Sequence, residues 1–503
     1  MKEKILSANV IGLDTKIIEV EADIGGGDLG AFVIVGLPDK SVFESKERVR
    51  SAIKSLGINF PRRKIIINLA PADFKKQGSG HDLSIAISIL SVFYNFKEDF
   101  SKIVFLGELG LNGEIRPING VLLILSYLKK KKIDKVFIPR ENLAETSLIS
   151  DIEIFPVDNL KELFLHLIDK KKILSQKVFF EDNNFNNYDF EMANIRGQNQ
   201  AKRALEIAAA GNHNILMFGP PGSGKTLLAK TLISILPKMT NNEILEVNKI
   251  YSIIGKLKNN NLIYNRPFRS PHHSSSPVSL LGGGSWPRPG EITLSHRGVL
   301  FLDEFPEFSK NVLENLRQPL EDGYINICRS NYSTIFPAKF MLVAAMNPCP
   351  CGHWGDASSR CLCSASQLLN YKNKISGPIK DRIDLFVEVP KIKFEDIINY
   401  RKEESSQNIR ARVEMARKIQ LKRFGGYNVF SNSEINLELI KRFCKIDSHS
   451  QGILKEAMEK NNLSVRSYFR VLRISRTIAD LRGDDEIKFN DIAEALQYKI
   501  KQN

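Results

Sequence analysis

A chain of 503 residues, 43% hydrophobic and 26% charged, is too long for one core and too apolar for disorder, so two to four folded domains are expected. No run of about 18 apolar residues is present, which excludes a membrane-spanning helix. Lys and Arg outnumber Asp and Glu by 72 to 57, and the resulting +15 attracts polyanions such as nucleic acid, although the lysines at 129–132 read equally as a solvated face.

Residues 1–175 alternate β-like runs (Ala31-Phe32-Val33-Ile34-Val35, Lys64-Ile65-Ile66-Ile67-Asn68-Leu69, Lys135-Val136-Phe137-Ile138-Pro139) with helical stretches at 40–56 and 82–93, which predicts a mixed α/β domain. The start, Met1-Lys2-Glu3-Lys4-Ile5, has no long apolar core and no small-residue cleavage site, so a cytoplasmic chain is expected. Residues 176–189 are polar and Asn-rich and read as an exposed linker. From 190 to 392 strands alternate with helices, the pattern of a parallel nucleotide-binding sheet. From 393 to 503 helical periodicity dominates, most clearly at 401–424 and 463–481.

Within the second segment, Gly219-Pro220-Pro221-Gly222-Ser223-Gly224-Lys225-Thr226 follows the apolar run Ile215-Leu216-Met217-Phe218 and opens onto a helix-like pattern. Strand, glycine-rich turn and helix N-terminus form the context of a phosphate-binding P-loop. The glycines let backbone N–H groups close around a polyphosphate, and the helix dipole favours its charge. Lys225 would reach the β- and γ-phosphates, and the Thr226 hydroxyl would ligate Mg²⁺. A nucleoside triphosphate is the expected ligand.

Further along, Gly298-Val299-Leu300-Phe301-Leu302-Asp303-Glu304 is a strand ending in two carboxylates. Asp303 is placed to hold Mg²⁺ through water, and Glu304 to polarise an attacking water. A third strand, Phe340-Met341-Leu342-Val343-Ala344-Ala345-Met346, expected between the two motif strands, ends at Asn347, which reads either as a γ-phosphate or water ligand or as a turn residue before Pro348. Arg382 follows a turn beside a strand. It reads as an arginine finger for a neighbouring subunit's γ-phosphate, or as a surface partner of Asp381 or Asp384. Arg466, Arg470 and Arg473 share one helix face by their i, i+4, i+7 spacing, and Arg466 is the one expected to sense the phosphates.

Six cysteines in a cytoplasmic chain argue against a disulfide framework. Cys349-x-Cys351 and Cys361-x-Cys363 suit tetrahedral Zn²⁺, with His353 as a substitute ligand and a loop of reduced thiols as the alternative. Cys328 and Cys444 are isolated and expected to be buried. His272-His273 is not expected to share a metal, because neighbours on an extended strand face opposite ways. A structural or pore-loop role is expected instead.

Taken together these residues resemble an AAA+ ATPase, and more narrowly the magnesium-chelatase-like ComM (YifB) family. The resemblance rests on Val35-Gly36-Leu37-Pro38-Asp39, Asn68-Leu69-Ala70-Pro71-Ala72-Asp73, Arg266-Pro267-Phe268-Arg269-Ser270-Pro271-His272-His273, Asn347-Pro348-Cys349-Pro350-Cys351-Gly352 and Asp381-Arg382-Ile383-Asp384-Leu385. It implies an α/β fold of three parts: a Lon-protease-like N-terminal domain, a P-loop AAA+ core with hairpin inserts, and a C-terminal helical lid. It implies ATP and Mg²⁺ as cofactors, a homo-hexameric ring with Arg382 supplied in trans, and an active role for Asn347. The implied activity is an ATP-driven DNA helicase that promotes branch migration and integration of single-stranded DNA during natural transformation or recombination. Single-stranded and branched DNA would be bound without sequence preference, gripped by pore hairpins at about 262–297 and 324–337. The alternatives are a magnesium-chelatase-type metal-insertion ATPase, against which the Lon-like N-terminal domain counts, and a protein-remodelling ATPase. The resemblance extends to Lon peptidases, but Gly80 aligns with their nucleophilic Ser and Leu122 with their Lys, so no proteolysis is expected.

Overall fold

The computed structural model describes residues 3–25, 30–178, 189–257, 262–284, 286–329, 332–355, 360–392, 403–427, 429–460 and 464–499. The centre of the expected linker therefore lies outside the described residues.

The N-terminal part is built on a seven-stranded mixed sheet. Its strands run in the order Phe32–Val35, Lys64–Ala70, Asp14–Gly25, Ile5–Ile11, Ile103–Phe105, Lys135–Pro139 and Glu153–Val157. Period-two alternation sets which face is covered. Ile65, Ile67 and Leu69 of one strand are fully buried against the helices Lys40–Ser55 and Asp82–Phe93. The helix Asp82–Phe93 is apolar nearly all round and accordingly sits inside the domain.

The second part carries a five-stranded, all-parallel sheet in the order Phe268–Arg269, Val299–Leu302, Met341–Met346, Ile215–Phe218, Leu385–Glu388. Continuous apolar runs such as Val299–Leu302, buried at every position, are what a sheet covered on both faces requires. The strand ending at Asn347 lies between the strand that leads into the P-loop and the one that ends at Asp303. That order alone brings three chain-distant motifs to one edge of the sheet. The expected second hairpin is present as Tyr324–Arg329 paired antiparallel with Tyr332–Pro337. Its tip, Ser330-Asn331, lies outside the described residues.

The remaining chain is helical: Ser406–Arg423, Leu437–Phe443, Ser448–Lys460, Val465–Arg482 and Phe489–Gln497. These helices share one hydrophobic core with the P-loop side of the sheet. Buried Asp480 ties them together, accepting from Arg423 (2.9 Å), Arg476 (3.1 Å) and Asn432 (2.8 Å).

The first two parts touch through the helices Val121–Lys130 and Asn241–Ile253. Gly120 N–H donates to the Ser252 carbonyl (3.0 Å), and the buried Glu145 carboxylate accepts from the Ser252 hydroxyl, from Asn142 (2.9 Å) and from Leu122 N–H (3.3 Å). Leu122 is fully buried beside this contact.

Candidate active site

The P-loop forms as the sequence demands. Gly222 (φ 76°) and Gly224 (φ 91°) adopt the left-handed region, where a side chain would be strained. The space beside both Cα atoms is open, so the turn leaves room for a phosphate against its N–H groups. Gly219 answers a different demand, since a Cβ there would sit 2.1 Å from the Val389 carbonyl oxygen.

Lys225 begins the helix Lys225–Ile235 and is buried. Its ammonium donates to the carbonyls of Gly219 (2.7 Å) and Pro220 (2.9 Å) and to Asn347 Oδ1 (3.3 Å). Burial pulls its pKa below the usual lysine value, an effect the nearby Asp303 opposes. The Thr226 hydroxyl donates to Asp303 Oδ2 (2.7 Å), and Asp303 Oδ1 accepts from Glu304 N–H (2.9 Å). A hydroxyl and a carboxylate paired at the mouth of a phosphate-sized turn form the oxygen donor set that suits Mg²⁺. Glu304 itself is exposed, with its backbone in the left-handed region (φ 51°).

The arginines are arranged differently. Arg382 donates to the Pro378 carbonyl (3.1 Å) and forms an ion pair with Glu321, not with Asp381 or Asp384. Among the described residues it makes no hydrogen bond to the P-loop or to Asp303 and Glu304. Of the three helix-face arginines only Arg466 is exposed. Arg470 is buried, donating to the carbonyls of Asp381 and Ile383 (2.7 Å) and facing Asp384 (3.4 Å). It thus grips the backbone on both sides of Arg382. Regular spacing put the three on one face, but half-buried Asp384 faces Arg470, the one drawn inward.

Two neighbours of the site carry no sequence signal. His273 Nδ1 stands 3.1 Å from Glu304 Oε2, and its ring lies edge-on to Phe308. The opposite-facing arrangement expected for His272 and His273 is absent. Their rings stand 4.0 Å apart, because the chain turns at His273 instead of extending. Tyr371 is buried on the helix Ala365–Asn373; burial raises its pKa, and the Asn347 backbone close by opposes that rise.

The cysteine cluster lies beside this edge. The sulfurs of Cys349, Cys351, Cys361 and Cys363 all fall within 4.8 Å of one another, and His353 is not among them. Separations of 3.3, 3.8 and 3.6 Å among the first three match the edge of about 3.8 Å of a tetrahedron with Zn–S bonds of about 2.3 Å. All four are free thiols. Backbone N–H groups of His353 and Leu362 pull Cys351 down to about 6. Cys444 is buried as expected, whereas Cys328 is exposed, because the hairpin strand that carries it turns alternate residues outward.

The parallel sheet, the P-loop and the acidic strand end define a P-loop ATPase of the AAA+ class. Family models match most of the chain: magnesium chelatase, subunit ChlI, matches residues 191–397, subunit ChlI of Mg-chelatase matches 20–142, and the magnesium chelatase subunit ChlI C-terminal model matches 403–499. The chain is 42% identical to competence protein ComM of Haemophilus influenzae over 98% of its own length and 97% of that protein's. It is 38% identical to the uncharacterized protein YifB of Escherichia coli, covering 97% and 95% respectively. A Lon protease of Leptospira interrogans is 30% identical over 162 residues, 31% of this chain and 19% of that protein. This chain belongs to the ComM/YifB family of magnesium-chelatase-like AAA+ ATPases. No helix among the described residues is long and apolar enough to cross a membrane.

Proposed function

We propose that this chain is the subunit of an ATP-hydrolysing ring motor that acts on DNA, a helicase promoting branch migration and integration of single-stranded DNA in transformation or recombination. The observation that carries the reading is the convergence of Lys225, Thr226, Asp303 and Asn347 on one open turn, in a chain that aligns end to end with a competence protein. The net charge of +15 and the hairpin insert support a polyanion as the thing moved. In this reading the N–H groups of residues 219–224 cradle the triphosphate and Lys225 neutralises its β- and γ-oxygens. Thr226 and Asp303 would hold Mg²⁺, which when bound offsets phosphate charge. Glu304 takes the proton of the attacking water, and Asn347 orients that water or the γ-phosphate. Arg382 leaves Glu321 to reach the site of the next subunit in a hexamer, and Arg466, exposed at the start of its helix, senses the phosphates of its own. The four cysteines Cys349, Cys351, Cys361 and Cys363 would hold a structural Zn²⁺.

A metal-insertion ATPase is the second reading, favoured by the name of the family models. The N-terminal domain does not separate the two, contrary to the sequence-based expectation, because the model matching residues 20–142 also bears the chelatase subunit's name. ATP turnover measured with and without single-stranded, duplex and four-way-junction DNA, on protein sized in ATP, tests the proposal. DNA-stimulated turnover by a ring is the expected result. A monomer whose turnover ignores every DNA would sink it.

A further inference from the structure

We infer that the four-cysteine clip is a working part of the nucleotide site, setting how tightly ATP is held and how fast it is turned over. The inference rests on the zinc reading above. Three separate connections lead from the clip to that site.

The first is along the chain: Cys349 lies two residues past Asn347, whose carboxamide oxygen is 3.3 Å from the Lys225 ammonium. The second runs through the other pair of ligands. Cys361 and Cys363 stand directly before the helix Ala365–Asn373, whose buried Tyr371 lies against the Asn347 backbone. The third is a direct packing contact. Gly352, buried with φ 84°, faces the P-loop so closely that a Cβ would come within 2.7 Å of the Pro221 ring. One ion holding four sulfurs would therefore lock three things together: the end of the central strand, the helix that supports it and the phosphate-binding turn.

The sulfurs are already set for this. Trp354 N–H donates to Cys349 Sγ (3.3 Å), the kind of outer hydrogen bond that orients a metal ligand. Interior packing transmits small displacements instead of absorbing them. A loosened clip would thus be felt at Pro221 and Asn347. Tyr371 lies against the backbone of Asn347 and would act through it, so it is a positioning residue.

The experiment uses the full chain purified under reducing conditions. Metal analysis is expected to find about one zinc per chain. Zinc is then displaced with a mercurial and a chelator, the thiols are regenerated with dithiothreitol, and binding of a fluorescent ATP analogue is measured. Outer-shell losses in metal sites cost about 10- to 100-fold, so a weakening of about tenfold in nucleotide affinity is expected, with a comparable loss of turnover. Both should return when Zn²⁺ is restored. Protein whose four thiols stay free in zinc-supplemented buffer overturns the zinc reading and this inference with it. Zinc-loaded protein that keeps full affinity and turnover after stripping overturns the coupling alone. Tyr371→Phe forms a second arm that leaves every ligand in place. It should keep its zinc and its nucleotide affinity while kcat falls several-fold, and an unchanged kcat overturns the route through Tyr371.

Discussion

Two lysines in this molecule are buried in much the same way, and only one of them stands in a nucleotide site. Lys225 donates to the carbonyls of Gly219 and Pro220, and Lys76 to those of Pro71 and Phe74. Burial lowers the pKa of both. Around Lys225 two glycines leave open space, and a carboxylate and a carboxamide converge. Around Lys76 the ammonium lies 4.4 Å from the centre of the Phe74 ring and the side chain is fully enclosed. A buried cation is therefore not a site by itself. What makes Lys225 functional is a turn that can admit an anion and acidic partners that can hold a counter-cation.

The comparison breaks first at Lys225. Lys225→Ala is expected to abolish nucleotide binding, read by the same fluorescent ATP analogue, because the phosphates lose their only buried cation among the described residues of the turn. Glu304→Gln should bind ATP normally and hydrolyse it about 10²- to 10⁴-fold more slowly, the usual worth of a positioned base. Normal turnover by that variant would remove Glu304 from the mechanism.

Arg382 extends the contrast from one chain to two. Its tie to Glu321 keeps it off its own P-loop residues, and the proposed role in the neighbouring site implies a trans defect. Arg382→Ala should lose about 10³-fold in turnover, as arginine fingers do. Mixing it with Lys225→Ala protein should restore part of the activity at interfaces that pair an intact P-loop with an intact Arg382. Absence of rescue at every mixing ratio would count against the assignment.

The P-loop was legible in the sequence because its demands are local: a strand, glycines at left-handed positions and a helix start within about a dozen residues. Strand order was partly legible too, since the run 340–346 was expected between the motif strands and occupies that place. His273 beside Glu304, and Tyr371 beneath Asn347, were not legible. Each depends on where a distant segment docks, and neither residue type has a spacing that announces it. The arginine helix shows the boundary between the two cases. Its periodicity gave the shared face, but only the fold brings half-buried Asp384 up to Arg470. Cys328 failed for a related reason, since a lone thiol carries no information about which face of a hairpin it will occupy.

Next to Lys76 lies a smaller effect with a defined pH signature. Burial, reinforced by the Lys76 charge, pushes His81 down to about 4, and its ring faces Ser7 Oγ (2.9 Å) and Asn9 Oδ1 (3.3 Å). The unfolded chain takes up this proton near pH 6.5 while the folded chain resists until about pH 4. Stability is therefore full above the unfolded value and falls as pH drops through that window, by about 3 kcal/mol for this residue. Urea titrations at pH 7 and pH 5 should show the loss in wild type and a smaller one in His81→Gln. Equal losses would remove His81 as the cause.

The mildest change is Lys76→Met, and it sharpens the comparison most. The substitution keeps the length of the side chain but leaves the carbonyls of Pro71 and Phe74 without their donor, which costs about 1–3 kcal/mol. It also removes the positive charge that helps to hold His81 down, so the acid-side loss of stability should shrink as the His81 pKa rises. Nucleotide affinity and turnover of the folded variant should match wild type, since none of the contacts of Lys76 reaches Lys225, Asp303 or Asn347. Lost ATP binding in a Lys76→Met protein that still unfolds cooperatively would mean that the enclosed lysine of the first domain also serves the second, and the distinction between the two would fail.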